Sequence, residues 1–166
     1  MLTTILSLAL AAAPAPSAHQ RDVEQAIFDI CPRAMSGALS FDDPAQVAAA
    51  GYRATTPRNT PSGPMPQIER GTGTERILVS ARRDGGATCG VWFGGPENRQ
   101  VLRAVRRRIR AAGYRGNRVN LGDGTPIQIL RQQSGERRVL TIIEGNAGGD
   151  LDFTPATTVV LIDPKG

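Results

Sequence analysis

The sequence predicts a single α+β domain: an antiparallel sheet of about five to six strands with two or three helices packed on one face. Three observations lead there. Apolar residues recur at helical spacing in residues 20–31 and 101–112. β-Rich runs separated by Asp-Gly, Gly-Gly and Ser-Gly punctuation fill much of the chain beyond residue 74. Those connections are of hairpin length, which favours antiparallel pairing. With 166 residues, 40% hydrophobic and 21% charged, the chain has room for one core and does not have the composition of a disordered chain.

The first stretch, "MLTTILSLALAAAPAPSA", is an uncharged apolar run, a proline break and small residues. That is the layout of a secretory signal peptide over residues 1–18, leaving a mature domain of 19–166. The n-region has no Lys or Arg, and cleavage after Ser17 or after Ala18 both satisfy the pattern. The apolar run is too short to span a bilayer, which takes about 20 residues. The expected location is the periplasm or the extracellular space, with no membrane span after cleavage.

A first helix fits residues 20–31, where Val23, Ile27 and Ile30 share one side, and Pro32 is expected to end it. A second short helix follows in "DDPAQVAAAG", with Asp43 as N-cap, Pro44 at the first helical position and Gly51 as the left-handed exit. Residues 53–66 hold four prolines and read as an exposed connection. Two strands flank Asp84-Gly85-Gly86, and on the second of them Ala87, Cys89, Val91 and Phe93 share a face by alternation. The third helix is expected after Gly94-Gly95, with Pro96 at its first position, and to stop at Gly113. Three or four further strands follow in "NRVNLG", "PIQILRQQ", "RRVLTIIEG" and "TTVVLI". No segment repeats another closely enough to indicate a solenoid.

Cys31 and Cys89 are the only cysteines and lie in no CxxC. In an exported chain they are expected to pair, joining the first helix to the sheet. Closing so long a loop removes roughly 4 kcal/mol of unfolded-state entropy on the chain-entropy model.

Nineteen of the twenty basic residues are arginine, and the formal charge is +5. Drift in a GC-rich genome leaves the same arginine bias, so arginine richness by itself is weak evidence for a polyanion. The third helix concentrates it in "VLRAVRRRIRAAGYR". At about 100° per residue, Val101, Leu102, Val105, Ile109 and Ala112 form a core stripe. On the same wheel Arg99, Arg103, Arg106, Arg107 and Arg110 form one outward face, with Arg108 at the edge of the apolar stripe. Such a face is either a solvated surface or a grip for carboxylate or phosphate oxygens. An acidic protein or an anionic envelope polymer is the expected partner. Nucleic acid fits less well, because no stacking platform or nucleic-acid motif accompanies the arginines. Trp92 faces opposite to Cys89, Val91 and Phe93, so it is either a buried aromatic or part of a binding patch.

Catalytic chemistry has little to draw on. The only histidine, His19, falls at the signal boundary, where it is either a frayed polar residue or part of an N-terminal copper chelate lacking a second imidazole. GxSxG, the P-loop and GxGxxG are missing from the sequence. Asp150 and Asp152 in "GNAGGDLD" sit on the same side of an extended segment and offer a carboxylate pair, for Ca²⁺ or for acid–base work, against a plain hairpin loop. No cofactor and no metal site are expected. The composite expectation is a small exported non-catalytic binding or accessory module. A carboxylate-only hydrolase or Ca²⁺-binding module built on Asp150 and Asp152 and an inhibitor of an envelope or foreign enzyme are the alternatives.

Overall fold

The computed structural model describes residues 15–60, 63–83, 86–133, 138–145 and 157–163. A leading helical segment runs through α1 (Ala18–Gln25), a π-helical turn (Ala26–Ile30) and α2 (Cys31–Ser36), followed by α3 (Pro44–Ala49). Strands β1 (Arg53–Thr60), β2 (Gly63–Arg70), β3 (Ile77–Arg82) and β4 (Ala87–Phe93) come next, then α4 (Asn98–Ala111). Four more strands close the chain: β5 (Tyr114–Asn120), β6 (Pro126–Gln132), β7 (Val139–Glu144) and β8 (Thr157–Asp163). All eight form one sheet in the order β1-β2-β3-β4-β8-β7-β6-β5, and every neighbouring pair is antiparallel.

This overturns the expectation of five to six strands. The two additional strands come from the region read as an exposed connection: Arg53–Thr60 form β1, and β2 starts at Gly63 and runs to Arg70. Pro57, Pro64 and Pro66 are tolerated because they sit where a ladder hydrogen bond is not needed, and Pro61 lies outside the described residues. Pro57 falls in the register irregularity between Thr55 and Arg58 on the sheet's edge strand. Pro64 and Pro66 lie on β2 beyond its pairing with β3, which covers only Gln67 to Arg70.

The first helix also runs further than expected. Pro32 lies inside the helical segment, at the start of α2, and the chain leaves the helix only at Gly37, whose φ of 82° is left-handed. The wider π-helical turn just before it supplies a different hydrogen-bond spacing, with Cys31 N–H reaching the Ala26 carbonyl, and so carries the chain past a residue that has no N–H of its own. Asp43 caps α3 through the N–H groups of Ala45 and Gln46. The Gln46 N–H, chief among these contacts, holds the Asp43 carboxyl below its ordinary range.

One face of the sheet, the inner face, carries the helices. Val23, Ile27, Ile30, Val101, Val105 and Ile109 from the helices pack with Ile68, Val79, Val91, Phe93, Leu140 and Ile142 from the strands in one buried cluster. Cys31 and Cys89 form a disulfide across it, with Cα atoms 5.5 Å apart. β4 and β5 run parallel but stand at the centre and the edge of the sheet, so the connecting chain must return along it and cross the intervening strands. α4 makes that crossing, which is why it covers the β5–β8 half.

Candidate functional site

α4 begins at Asn98 after the N-cap residue Glu97, two residues later than the sequence predicts, with Pro96 in the preceding turn. Its buried residues are Val101, Leu102, Ala104, Val105 and Ile109. The opposite side carries the arginines, and the structure divides them into two groups.

Two arginines of α4 are neutralised locally. Arg106 turns down onto the sheet, where its guanidinium donates to Glu144 Oε1 at 2.6 Å and to Gln128 Oε1 at 3.2 Å. Glu144 also receives Arg118 from β5 at 3.1 Å. Arg108 reaches back to α1, pairing with Glu24 at 3.0 Å and lying 4.3 Å from the centre of the Phe28 ring. The other four, Arg99, Arg103, Arg107 and Arg110, are exposed, and no acid among the described residues pairs with them. Arg106, placed by periodicity on the outward face, therefore belongs to a charge cluster on the sheet. The wheel could not find this, because Glu144 lies 38 residues further along the chain.

Trp92 is buried, at 4% exposure, on the face of the sheet opposite the helices, the outer face. Its ring folds back over Gly90: a Cβ added there would meet the indole at 2.5 Å. Arg58 from β1 stacks on the ring at 5.0 Å. A recess of about 200 Å³ opens beside this stack, between Arg58, Thr60, Met65, Thr88 and Val160. Another, of about 380 Å³, lies between the turn after α2 and the ends of β2 and β3; its charged residues are Asp42, Arg82 and Arg83.

Three features here have no clear signal in the sequence. Glu69 is a buried carboxylate on β2 held between Arg53, at 2.6 Å, and Arg76. Such a group is compatible with burial only because it is paired. Tyr52 is buried beside Arg70, and burial pushes its hydroxyl up to about 12. His19 is not frayed: it is buried in α1, and its Nε2 donates to the Gly94 carbonyl at 2.8 Å, linking the start of the first helix to the end of β4. Asp150 and Asp152 lie outside the described residues.

Among the described residues no helix is long and apolar enough to cross a membrane. Compared with known protein families, with curated proteins and with solved structures, the chain gives no match.

Proposed function

We propose that this chain is an exported, non-catalytic binding module that docks an acidic partner protein on α4. The observation that carries the reading is the division among the α4 arginines. Acids of neighbouring elements are committed to Arg106 and Arg108, while Arg99, Arg103, Arg107 and Arg110 stay exposed on one helix and pair with no acid among the described residues. Like charges at these spacings repel, by a few tenths of a kcal/mol per pair. An anionic partner converts that cost into affinity and speeds association. Export is supported by the signal-like stretch before Ala18 and by the Cys31–Cys89 disulfide, a bond that persists in oxidising compartments.

The test is retention on immobilised polyglutamate, comparing the native chain with the quadruple variant Arg103→Gln, Arg107→Gln, Arg110→Gln and Arg99→Gln. The variant is expected to elute at clearly lower salt while keeping the far-UV spectrum of the native fold. Elution of both at the same salt overturns the reading. Stronger retention of the native chain on an anionic polysaccharide than on polyglutamate would replace the acidic protein with an envelope polymer.

A further inference from the structure

The two edges of the sheet are built differently. β1 carries Pro57 and a register irregularity, devices that discourage pairing with another chain. β5 carries neither. It pairs with β6 in unbroken register from Tyr114 to Asn120, and among the described residues it has a neighbour on one side only. Arg115 to Asn120 are all exposed. An edge strand presents a row of N–H and C=O groups to whatever lies beside it, and a regular one is a template for an added strand.

The side chains around this edge have a definite chemistry. On the outer face Val119, Ile127 and Ile143 stand in one row across β5, β6 and β7, and Asn117, Ile129 and Thr141 in the next. Val119 is 48% exposed, and Leu121 and Ile129 are nearly as open. On the inner face the edge presents Arg118, whose side chain is 56% exposed although it shares Glu144 with Arg106. Asp123 at the tip is the one acid of the β5–β6 hairpin, and its carboxylate accepts from Thr125 N–H at 2.9 Å.

We infer that β5 receives an extended segment of the acidic partner as an added antiparallel strand, apolar on its outer side and acidic on the side of Arg118. This deepens the reading of α4 and rests on it for the sign of the partner's charge. The added strand's apolar residues extend the Val119–Ile127–Ile143 row, and its acids meet the cation that Glu144 leaves incompletely balanced. A second copy of the chain fits this edge less well, since β5 holds no acid to set against Arg118.

The probe is a synthetic peptide alternating glutamate and valine, titrated into the native chain with amide hydrogen exchange as the readout. Binding is expected to slow exchange at alternate residues of β5 and to leave β1 unchanged. Methylating alternate peptide nitrogens on one edge is expected to abolish binding. Val119→Glu is expected to weaken it by about tenfold and Arg118→Gln by about threefold, the range of a partly exposed charge pair. Both sites are exposed, so the variants are expected to keep the native fold, checked by an intact disulfide and an unchanged spectrum. Protection of β1 in place of β5, equal binding by a scrambled or methylated peptide, or self-association that occupies β5 overturns the inference. The α4 quadruple variant separates the two proposals: if it loses polyglutamate retention but still binds the peptide, each stands, and peptide binding without any polyglutamate retention by the native chain removes only the α4 reading.

Discussion

In the β1–β4 half of the sheet, the outer face is closed: Leu78, Ser80, Trp92, Gln67 and Glu69 are all buried, although no helix among the described residues covers them. In the β5–β8 half the corresponding positions, Val119, Ile127, Ile129, Val139, Ile143, Val160 and Ile162, are all half-buried or exposed. Both halves are four-stranded meanders preceded by helix, joined through β4 and β8. The topology is shared, so the difference comes from side chains. In the first half one large aromatic lies flat over a glycine, Arg58 lies over the aromatic, and Arg53 and Arg76 cover Glu69. On this face the second half has aliphatic residues, Thr141 and Thr158, with Arg131 on β6 and Arg115 and Asn117 on β5, and aliphatics of that size cannot roof a sheet by themselves. A layer of protein is thus replaced in one half by a single indole and three guanidinium groups, while in the other half Thr158, beside Trp92, is buried on this face and the aliphatic positions stay half-buried or exposed. The first half holds the fold together, and the second carries the free arginines, the regular edge and the open apolar face.

The largest effect expected from this contrast is on the disulfide. Replacing both Cys31 and Cys89 by serine removes the covalent tie between the leading helix and β4 and is expected to cost roughly 4 kcal/mol of unfolding free energy in urea, on the chain-entropy model. A loss below about 1 kcal/mol would break the assignment of the stabilising role to the first half, since even a modest native disulfide contributes about 2 kcal/mol or more.

Trp92→Ala comes next. Deleting a buried indole costs about 3–5 kcal/mol in general, and the low end, about 3 kcal/mol, is expected here because the flexible Arg58 side chain can settle into the space above Gly90. Gly90→Ala makes the same point from below. Its methyl would sit 2.5 Å from the ring, so the indole must lift away from the sheet, and a fall in denaturation midpoint with a red-shifted Trp emission is the expected outcome. Emission unchanged in Gly90→Ala would mean that the ring does not lie on the glycine.

How much of this contrast the sequence contains depends on range. The core stripe of α4, the cap at Asp43 and the shared face of Cys89, Val91 and Phe93 are local periodicities, and they are legible because a helix or strand buries what its own period presents. The β1–β2 hairpin is not legible, because the four prolines of 53–66 read as a breaker unless it is known that β1 is an edge and that β2 meets β3 for only part of its length. Periodicity alone places Arg106 on the outward face for a related reason: its partner, Glu144, becomes a neighbour only after β7 lies beside β6 and α4 across them. The spacing Gly90-Val91-Trp92 does hold a usable signal. A glycine two residues from a tryptophan on the same strand face leaves room for the ring to lie down, and that pattern distinguishes a roofing aromatic from an exposed one.

The smallest expected effect is the sharpest test of the contrast. Ile129→Thr keeps a β-branched side chain suited to a strand and changes only apolar character, at a position 43% exposed in the open half. If that face is bare, the substitution alters stability by no more than about 0.5 kcal/mol, as ordinary surface changes do, and raises solubility by breaking up the aliphatic patch. If instead the loss exceeds about 2 kcal/mol, the size associated with truncating a core aliphatic, then Ile129 is covered in solution. The two halves would then be equally sealed, and the open face of β5–β8 could not be a binding surface in the free protein. Pairing this variant with Trp92→Ala in one series, at the same protein concentration, makes the comparison independent of any error in absolute unfolding free energy, because the ratio of the two losses is what separates a roofed half of the sheet from an unroofed one.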